Sequence, residues 1–178
     1  ALAPEERVSR EELINISNLY FDSIEQLRSD IVPWHDDCYR IENGMWTAGL
    51  KLPDALAAHM PETPSTQPGS GPGGGSGFRR SSCSAGIDSG GLGYIESIRP
   101  RHVPVVDEER GVTWGVYVFN HPGMETITMA DGSTRKAMFA GNPNSMPISE
   151  LFKIKGGKIL DIMAIAVRGE YMCGTGWE

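Results

Sequence analysis

Between residues 101 and 167 apolar and polar side chains alternate with a period of two, and no other feature of the chain restricts its fold so strongly. HVPVV, VTWGVYVF, METITM, RKAMF, ISELFKI and KILDIMAIAV read as successive strands, because neighbouring side chains on an extended chain point to opposite faces. Turn signals fall between them at residues 108–111 and 120–123, at Asp131 and Gly132, and at Gly156 and Gly157. Connections this short make neighbouring strands antiparallel, since a parallel crossover needs about a dozen residues or more.

A helix comes first in the chain. Ser9 and Glu12 have capping-box spacing, in which the Ser oxygen accepts from an orphan amide of the first turn. Leu13, Ile16, Tyr20, Ile24 and Leu27 then share one face at the helical period, so this face must pack on something. Pro33 stops the helix, and residues 38–42 read as a short strand with Tyr39 and Ile41 on one side and Arg40 and Glu42 on the other. Short helical pieces are expected at 53–60 and at 92–99, the latter from the spacing of Leu92, Ile95 and Ile98. The stretch 61–77, PETPSTQPGSGPGGGSG, holds too little apolar content to form core and reads as a long flexible loop, a candidate lid if it borders a pocket. Only about sixty residues precede it, without enough apolar strand to close a core alone, so residues 1–178 are expected to form a single domain. Helices followed by a meander define an α+β fold, a curved antiparallel sheet wrapped around N-terminal helices.

Charge narrows the partners. The formal net charge is −7 and no basic run extends beyond Arg79 and Arg80, which argues against nucleic acid or an anionic membrane surface. No apolar run approaches the length of a bilayer span, and a start at Ala1-Leu2-Ala3 leaves localisation open. Three cysteines, Cys38, Cys83 and Cys173, fit one disulfide plus a free thiol or three buried thiols equally well.

Chemically capable residues crowd into VPWHDDCYRIENGMWTAG, residues 32–49. Arg40 and Glu42 project to one side of their strand, where they form either an acid–base pair or a structural ion pair. Tyr39 is a candidate hydrogen-bonding group, His35 and Asp37 a coupled pair or solvated loop residues, and Asn43 a turn former that can also meet substrate. Further along, His102 is a candidate acid or base if its strand face lines the interior, and Asp107 stands at a strand end that can point back toward it. Trp34, Trp46, Trp114, Met45, Met138 and Met163 can supply a flat apolar slot, although each is by itself a common core residue. His59 and His121 receive no assignment, and Cys83 has no identifiable base beside it. No G-x-S-x-G, H-E-x-x-H or phosphate-loop pattern occurs. GPGGGSG lacks the flanking strand and helix of a dinucleotide site. His35, Asp37 and His102 have no metal-ligand spacing, so no metal is expected.

The capped helix together with PWHDDCYRIENG, RPRHVPVVDEERGVTWGVYVF and ELFKIKGGKILDIMAIAV resembles the SnoaL-like branch of the nuclear transport factor 2-like (NTF2-like) superfamily. The R-x-E-N-G stretch at 40–44 and VVDEERG at 105–111 are similar to a subgroup holding cofactor-independent isomerases and lyases, among them bacterial lyases that release formaldehyde from lignin-derived diarylpropane diols. The resemblance implies an NTF2-like cone, chemistry inside it by ionisable side chains with no cofactor, and a small hydroxylated aromatic substrate. Arg40, Glu42 and His102 are then the expected catalytic residues with Tyr39 and Asp107 in support, while Trp34, Trp46, Asn43, Trp114 and Met138 are expected to bind substrate. Two alternatives stand beside this reading: a non-catalytic cone that holds an apolar ligand or a partner, and an isomerase or dehydratase of a polycyclic metabolite. The strands at 112–119 and 159–167 are apolar on both faces, which suggests a homodimer or small homo-oligomer built through the outer face of the sheet.

Overall fold

A computed structural model describes residues 1–59 and 81–176. The loop expected at 61–77 and the end of the helix expected at 53–60 lie outside the described residues. The first helix, α1 (Arg10–Gln26), starts where its sequence signal places it, with Ser9 Oγ accepting from the Glu12 amide at 3.2 Å. It ends at Leu27, whose left-handed backbone (φ 52°) closes the last turn. Leu13, Ile16, Tyr20, Phe21 and Ile24 are buried along one face of α1.

This face packs against a six-stranded sheet. Its strands are β1 (Trp34–Glu42), β2 (Met45–Ala48), β3 (Ser97–Asp107), β4 (Val112–His121), β7 (Asn144–Lys155) and β8 (Lys158–Ala166), in the order β2-β1-β8-β7-β4-β3. Two short helices, α2 (Asp54–Ala57) and α3 (Ala85–Asp88), lie between β2 and β3, and a hairpin of β5 (Thr126–Thr128) and β6 (Thr134–Lys136) lies between β4 and β7. The α+β cone expected from the sequence is therefore present: a curved sheet closes over α1. Inner-face residues Tyr117, Phe119, Ile148, Phe152, Ile154, Ile159 and Ile162 form one buried cluster with the apolar face of the helix. Phe21 anchors it, with its ring centroid 4.1 Å from Tyr117, 5.6 Å from Phe152 and 5.9 Å from Phe119.

Three local expectations need correction. The sheet is not wholly antiparallel, because β1 pairs parallel with β8, at Arg40 beside Ile162 and Glu42 beside Ala164. Almost the whole chain runs between these two strands and serves as the crossover, so the rule of short connections does not govern them. Residues 101–167 do not form one sheet either. Strands β5 and β6 pair only with each other, and Ile127 is the single buried residue in their six positions, which gives the hairpin no apolar face to add to the main sheet. Finally, residues 92–99 are turns running into β3 rather than a helix. Ile98 fills the core as a strand residue, and Pro100 is a poor helix continuation.

The cysteine alternatives resolve into a Cys38–Cys83 disulfide, with Cα atoms 6.1 Å apart, and a free Cys173. The bridge ties β1 to the segment leading into α3. Among the described residues no helix is long and apolar enough to cross a membrane.

Candidate active site

Alternation along β1 sends Cys38, Arg40 and Glu42 toward the concave face of the sheet, and Tyr39 and Ile41 away from it. The Arg40 guanidinium is the hub of a polar cluster inside the cone. It donates to Glu42 Oε2, to Thr47 Oγ1 at 3.2 Å, and to Glu150 Oε1 from Nε at 3.4 Å and Nη2 at 3.3 Å. The side chains of Arg40, Glu42 and Glu150 are 15%, 25% and 0% exposed, so the cluster has an outer end at Glu42 and a sealed end at Glu150.

The two carboxylates are held differently, and the difference sets their chemistry. Glu42 makes the tight contact to Arg40. Glu150 receives only the longer pair to a single oxygen, beyond the range of about 2.7–2.9 Å typical of charge-assisted bonds, and its Oε2 has no partner. Burial therefore prevails. It pushes the Glu150 carboxyl up to about 7; Arg40 opposes the shift and the negative charge of Glu42 adds to it. Space is left around Glu150 by its neighbours in register, Gly115 on β4 and Ala164 on β8. A Cβ at position 115 would stand 2.3 Å from the Tyr117 hydroxyl. That glycine lets the phenol lean over the sheet in the same row, and the Tyr117 hydroxyl is also buried without a hydrogen-bond partner.

Tyrosines complete the surround. Tyr20 of α1 is buried and reaches Arg40, and burial raises its phenol well beyond the usual range. Tyr94, in the turns before β3, has its phenol raised by burial and by Glu42. Its ring packs 5.5 Å from His121 and 6.0 Å from Phe139. His121 also faces inward, at the end of β4, with Nδ1 3.2 Å from Asn144 Oδ1. Burial pushes its imidazole down to about 4, so it is neutral at physiological pH.

The structure separates the residues that the sequence singles out. Arg40 and Glu42 meet as their shared strand face implies, and Trp34 lies half-buried against the core cluster, edge-on to Tyr20 at 6.1 Å. His102 does not join them. It pairs with Val116, one register step from Tyr117, and therefore sits on the convex face, on the other side of the sheet from Arg40. The expected trio of Arg40, Glu42 and His102 thus cannot meet one substrate. Tyr39 is also convex, donating to Asp161 Oδ2 at 3.1 Å. Trp114 donates to Ser149 Oγ at 2.7 Å on that face, and Trp46, opposite Ile41, is there as well. Asp107 pairs with Arg110 at 2.8 Å in the turn after β3 rather than turning inward. Asn43 clamps β8, accepting from the Ala166 amide at 2.9 Å and donating to its carbonyl at 3.2 Å, which makes it a structural turn residue. Met138 is half-buried just after β6. His35 and Asp37 are in loose contact, 3.9 Å apart, near the start of β1.

Sequence reasoning missed Glu150, Tyr20, Tyr94 and Tyr117. Glu150 carries a signal in hindsight: within ISELFKI it shares the core parity of Ile148, Phe152 and Ile154, where an ionisable residue is costly unless it has a task. Among the described residues no group of three His, Cys, Asp or Glu side chains is arranged to hold a metal.

Comparison with known proteins places the chain in a family. Residues 6–166 match the family described as Domain of unknown function (DUF8021), and the chain belongs to it. No curated protein matches. Solved structures with a related outline include AusH from Aspergillus nidulans, at 13% identity and a TM-score of 0.48 over 89% of this chain and 86% of that one. A candidate polyketide cyclase from Silicibacter sp. TM1040 matches at 12% identity and a TM-score of 0.49, over 90% of this chain and 92% of the other. Another from Xanthomonas campestris matches at 15% identity and 0.45, over 88% and 90%.

Proposed function

We propose that this member of the DUF8021 family is a cofactor-independent lyase that acts on a hydroxylated aromatic small molecule, with Glu150 and Glu42 as its proton-transfer groups and Arg40 as the cation between them. The observation that carries the reading is the Glu150 carboxyl, buried with one oxygen unpartnered and pushed up to about 7. A group with that affinity for protons can both give and take one near neutrality, which is the condition for efficient general acid–base catalysis. Arg40 is paired with Glu42 and can accept developing oxyanion charge.

A diarylpropane diol with a free phenol is the substrate that best uses this pair. The Glu150 side chain is 0% exposed, so the side chains around it must part to admit the benzylic carbon. Glu42 then takes the phenolic proton while Glu150 donates one to the benzylic hydroxyl, which leaves as water and gives a quinone methide. The Glu150 carboxylate then takes the proton of the terminal hydroxyl. The carbon–carbon bond to that carbinol breaks, formaldehyde departs, and its electron pair forms the alkene and restores the aromatic ring. Glu42 returns its proton to the phenolate. The products are a stilbene, formaldehyde and water, with no net change of redox state and both carboxyls reset.

The test is formaldehyde release from such a diol by purified protein pre-treated with chelator. Wild type should turn over after chelation, and Glu150→Gln and Glu42→Gln should each lose roughly 10²–10⁴-fold in kcat, the range for a general acid or base. Turnover that disappears on chelation, or that survives in both variants, would overturn the mechanism. Binding of the diol with no turnover under any condition would favour a non-catalytic cone.

A further inference from the structure

At the start of β1, and open to solvent, lies a cleft of about 220 Å³ lined by Trp34, His35, Asp36, Leu50, Ser82, Ser84 and the Cys38–Cys83 bridge. We propose that it is a subsite for one oxygenated aromatic ring, the outer half of the substrate site. The identity of the ring's remainder rests on the lyase reading above; the cleft itself does not.

Volume fixes the size of the guest. A dry cavity of roughly 150 Å³ suffices for one benzene ring, whereas drug-sized ligands occupy roughly 300–1,000 Å³. At about 220 Å³ the cleft holds a single ring with small substituents and excludes a two-ring molecule. The lining fixes its chemistry. Trp34 offers an aromatic wall and keeps its indole N–H engaged with the Ser29 carbonyl at 3.0 Å, so the ring is held in place. Leu50 is 68% exposed, unusual for a leucine, and stands at the cleft as an apolar side chain with little covering it.

The polar groups ask for oxygen. His35 Nδ1 accepts from the Asp37 amide at 3.1 Å, which places the proton of a neutral imidazole on Nε2 and makes that atom a donor. Ser82 and Ser84 are bonded to each other at 2.9 Å, and one of the two hydroxyls keeps a proton to offer outward. The exposed Asp36 carboxylate supplies an acceptor. Two donors and an acceptor around an aromatic wall suit a phenol that carries a second oxygen on the adjacent carbon.

The cleft also shares strand β1 with the polar cluster. Cys38 and Arg40 are two residues apart on the same face of β1, and Trp34 packs edge-on to Tyr20, which reaches Arg40.

The test titrates 2-methoxyphenol into ¹⁵N-labelled protein and follows the Trp34 indole and His35 imidazole resonances, assigned with Trp34→Phe and His35→Gln. Both resonances should shift saturably with a millimolar dissociation constant. A His35→Ala/Leu50→Ala variant, which alters two side chains at the protein surface, should bind at least about threefold more weakly, a loss of less than one hydrogen bond's worth of energy. Glu150→Gln should bind as wild type does. Unshifted Trp34 and His35, or undiminished binding in the double variant, would overturn the subsite. Loss of binding in Glu150→Gln with none in the double variant would place the probe in the cone and overturn it as well. A cleft that binds the probe in a protein that releases no formaldehyde would leave the subsite standing and remove the lyase reading.

Discussion

The Arg40 guanidinium on β1 reaches Glu150 on β7 at 3.3 Å by passing over the strand between them, β8. The crossing depends on a small residue. In register, Ala164 stands between Glu42 and Glu150, and a longer side chain there would fill the path of the guanidinium. Ala164→Leu should therefore separate Arg40 from Glu150 and cost about 1–3 kcal/mol of stability through overpacking. A crystal structure of the variant with the 3.3 Å contact retained would contradict this account.

Titration of Glu150 should be visible in stability. Its proton affinity is raised in the folded state, from 4.5 to about 7. The folded protein therefore binds the proton more tightly than the unfolded chain. The associated stability is fully present below pH 4.5 and is lost as pH rises through 7. The loss amounts to about 3 kcal/mol at roughly 1.4 kcal/mol per pH unit. In Glu150→Gln this decline disappears, so the melting temperature of the variant relative to wild type should climb between pH 5 and pH 8, across the window from 4.5 to about 7. A constant difference across that range would show that Glu150 does not titrate there.

His121 works in the opposite direction. Burial lowers its proton affinity from 6.5 to about 4, so the unfolded chain binds the proton more tightly. Stability is present above pH 6.5 and falls as pH drops through 4. His121→Gln should remove most of this acid sensitivity. Urea unfolding at pH 7 and at pH 4.5 should show a smaller loss in the variant than in wild type by about 2–3 kcal/mol.

The disulfide offers a fourth check. Cys38 and Cys83 close a loop with a sequence separation of 45, for which chain entropy gives about 4 kcal/mol. Thiol titration should find one reactive group before reduction and three after it, because Cys173 is free. Reduction should lower the denaturation midpoint and, by releasing the segment at Ser82 and Ser84 from β1, weaken phenol binding in the cleft. An unchanged midpoint after complete reduction would assign the bridge no stabilising role.

The general form of the molecule was legible because period-two alternation and a helical stripe report burial directly, and burial decides both elements. Arg40 and Glu42 were legible for the same reason, being two apart on a strand. What alternation cannot reveal is which face of a strand lies inside. His102 sits in a strand whose two faces look alike in sequence, and only the packing of Tyr117 and Arg101 against α1 assigns it to the convex side. Glu150 was hidden for a related reason: its significance comes from Arg40, 110 positions away. Cys38 and Cys83 likewise gave no pairing signal, since connectivity is a property of the folded chain.

The convex face itself supports a last prediction. One register row crosses all six strands of the main sheet through Trp46, Ile41, Met163, Leu151, Trp114 and Val105. At about 4.8 Å between strands the row is roughly 24 Å long. Val105 and Met163 are exposed on it, and Ile165 and Val167 add further exposed apolar surface on β8 and just beyond it, at 67% and 59% exposure. Ile165 and Val167 are left with little cover, and neighbouring exposed apolar side chains on one sheet face are the mark of an interaction surface. We propose a second copy of the chain as the partner, packed face to face; a stable interface needs about 800 Å² from each side. Sedimentation should show a homodimer at micromolar concentration, and Ile165→Lys should shift it to monomer while leaving the fold intact, because that side chain packs on nothing inside the cone. A monomeric wild type, or a lysine variant that remains dimeric, would remove the convex face as the interface.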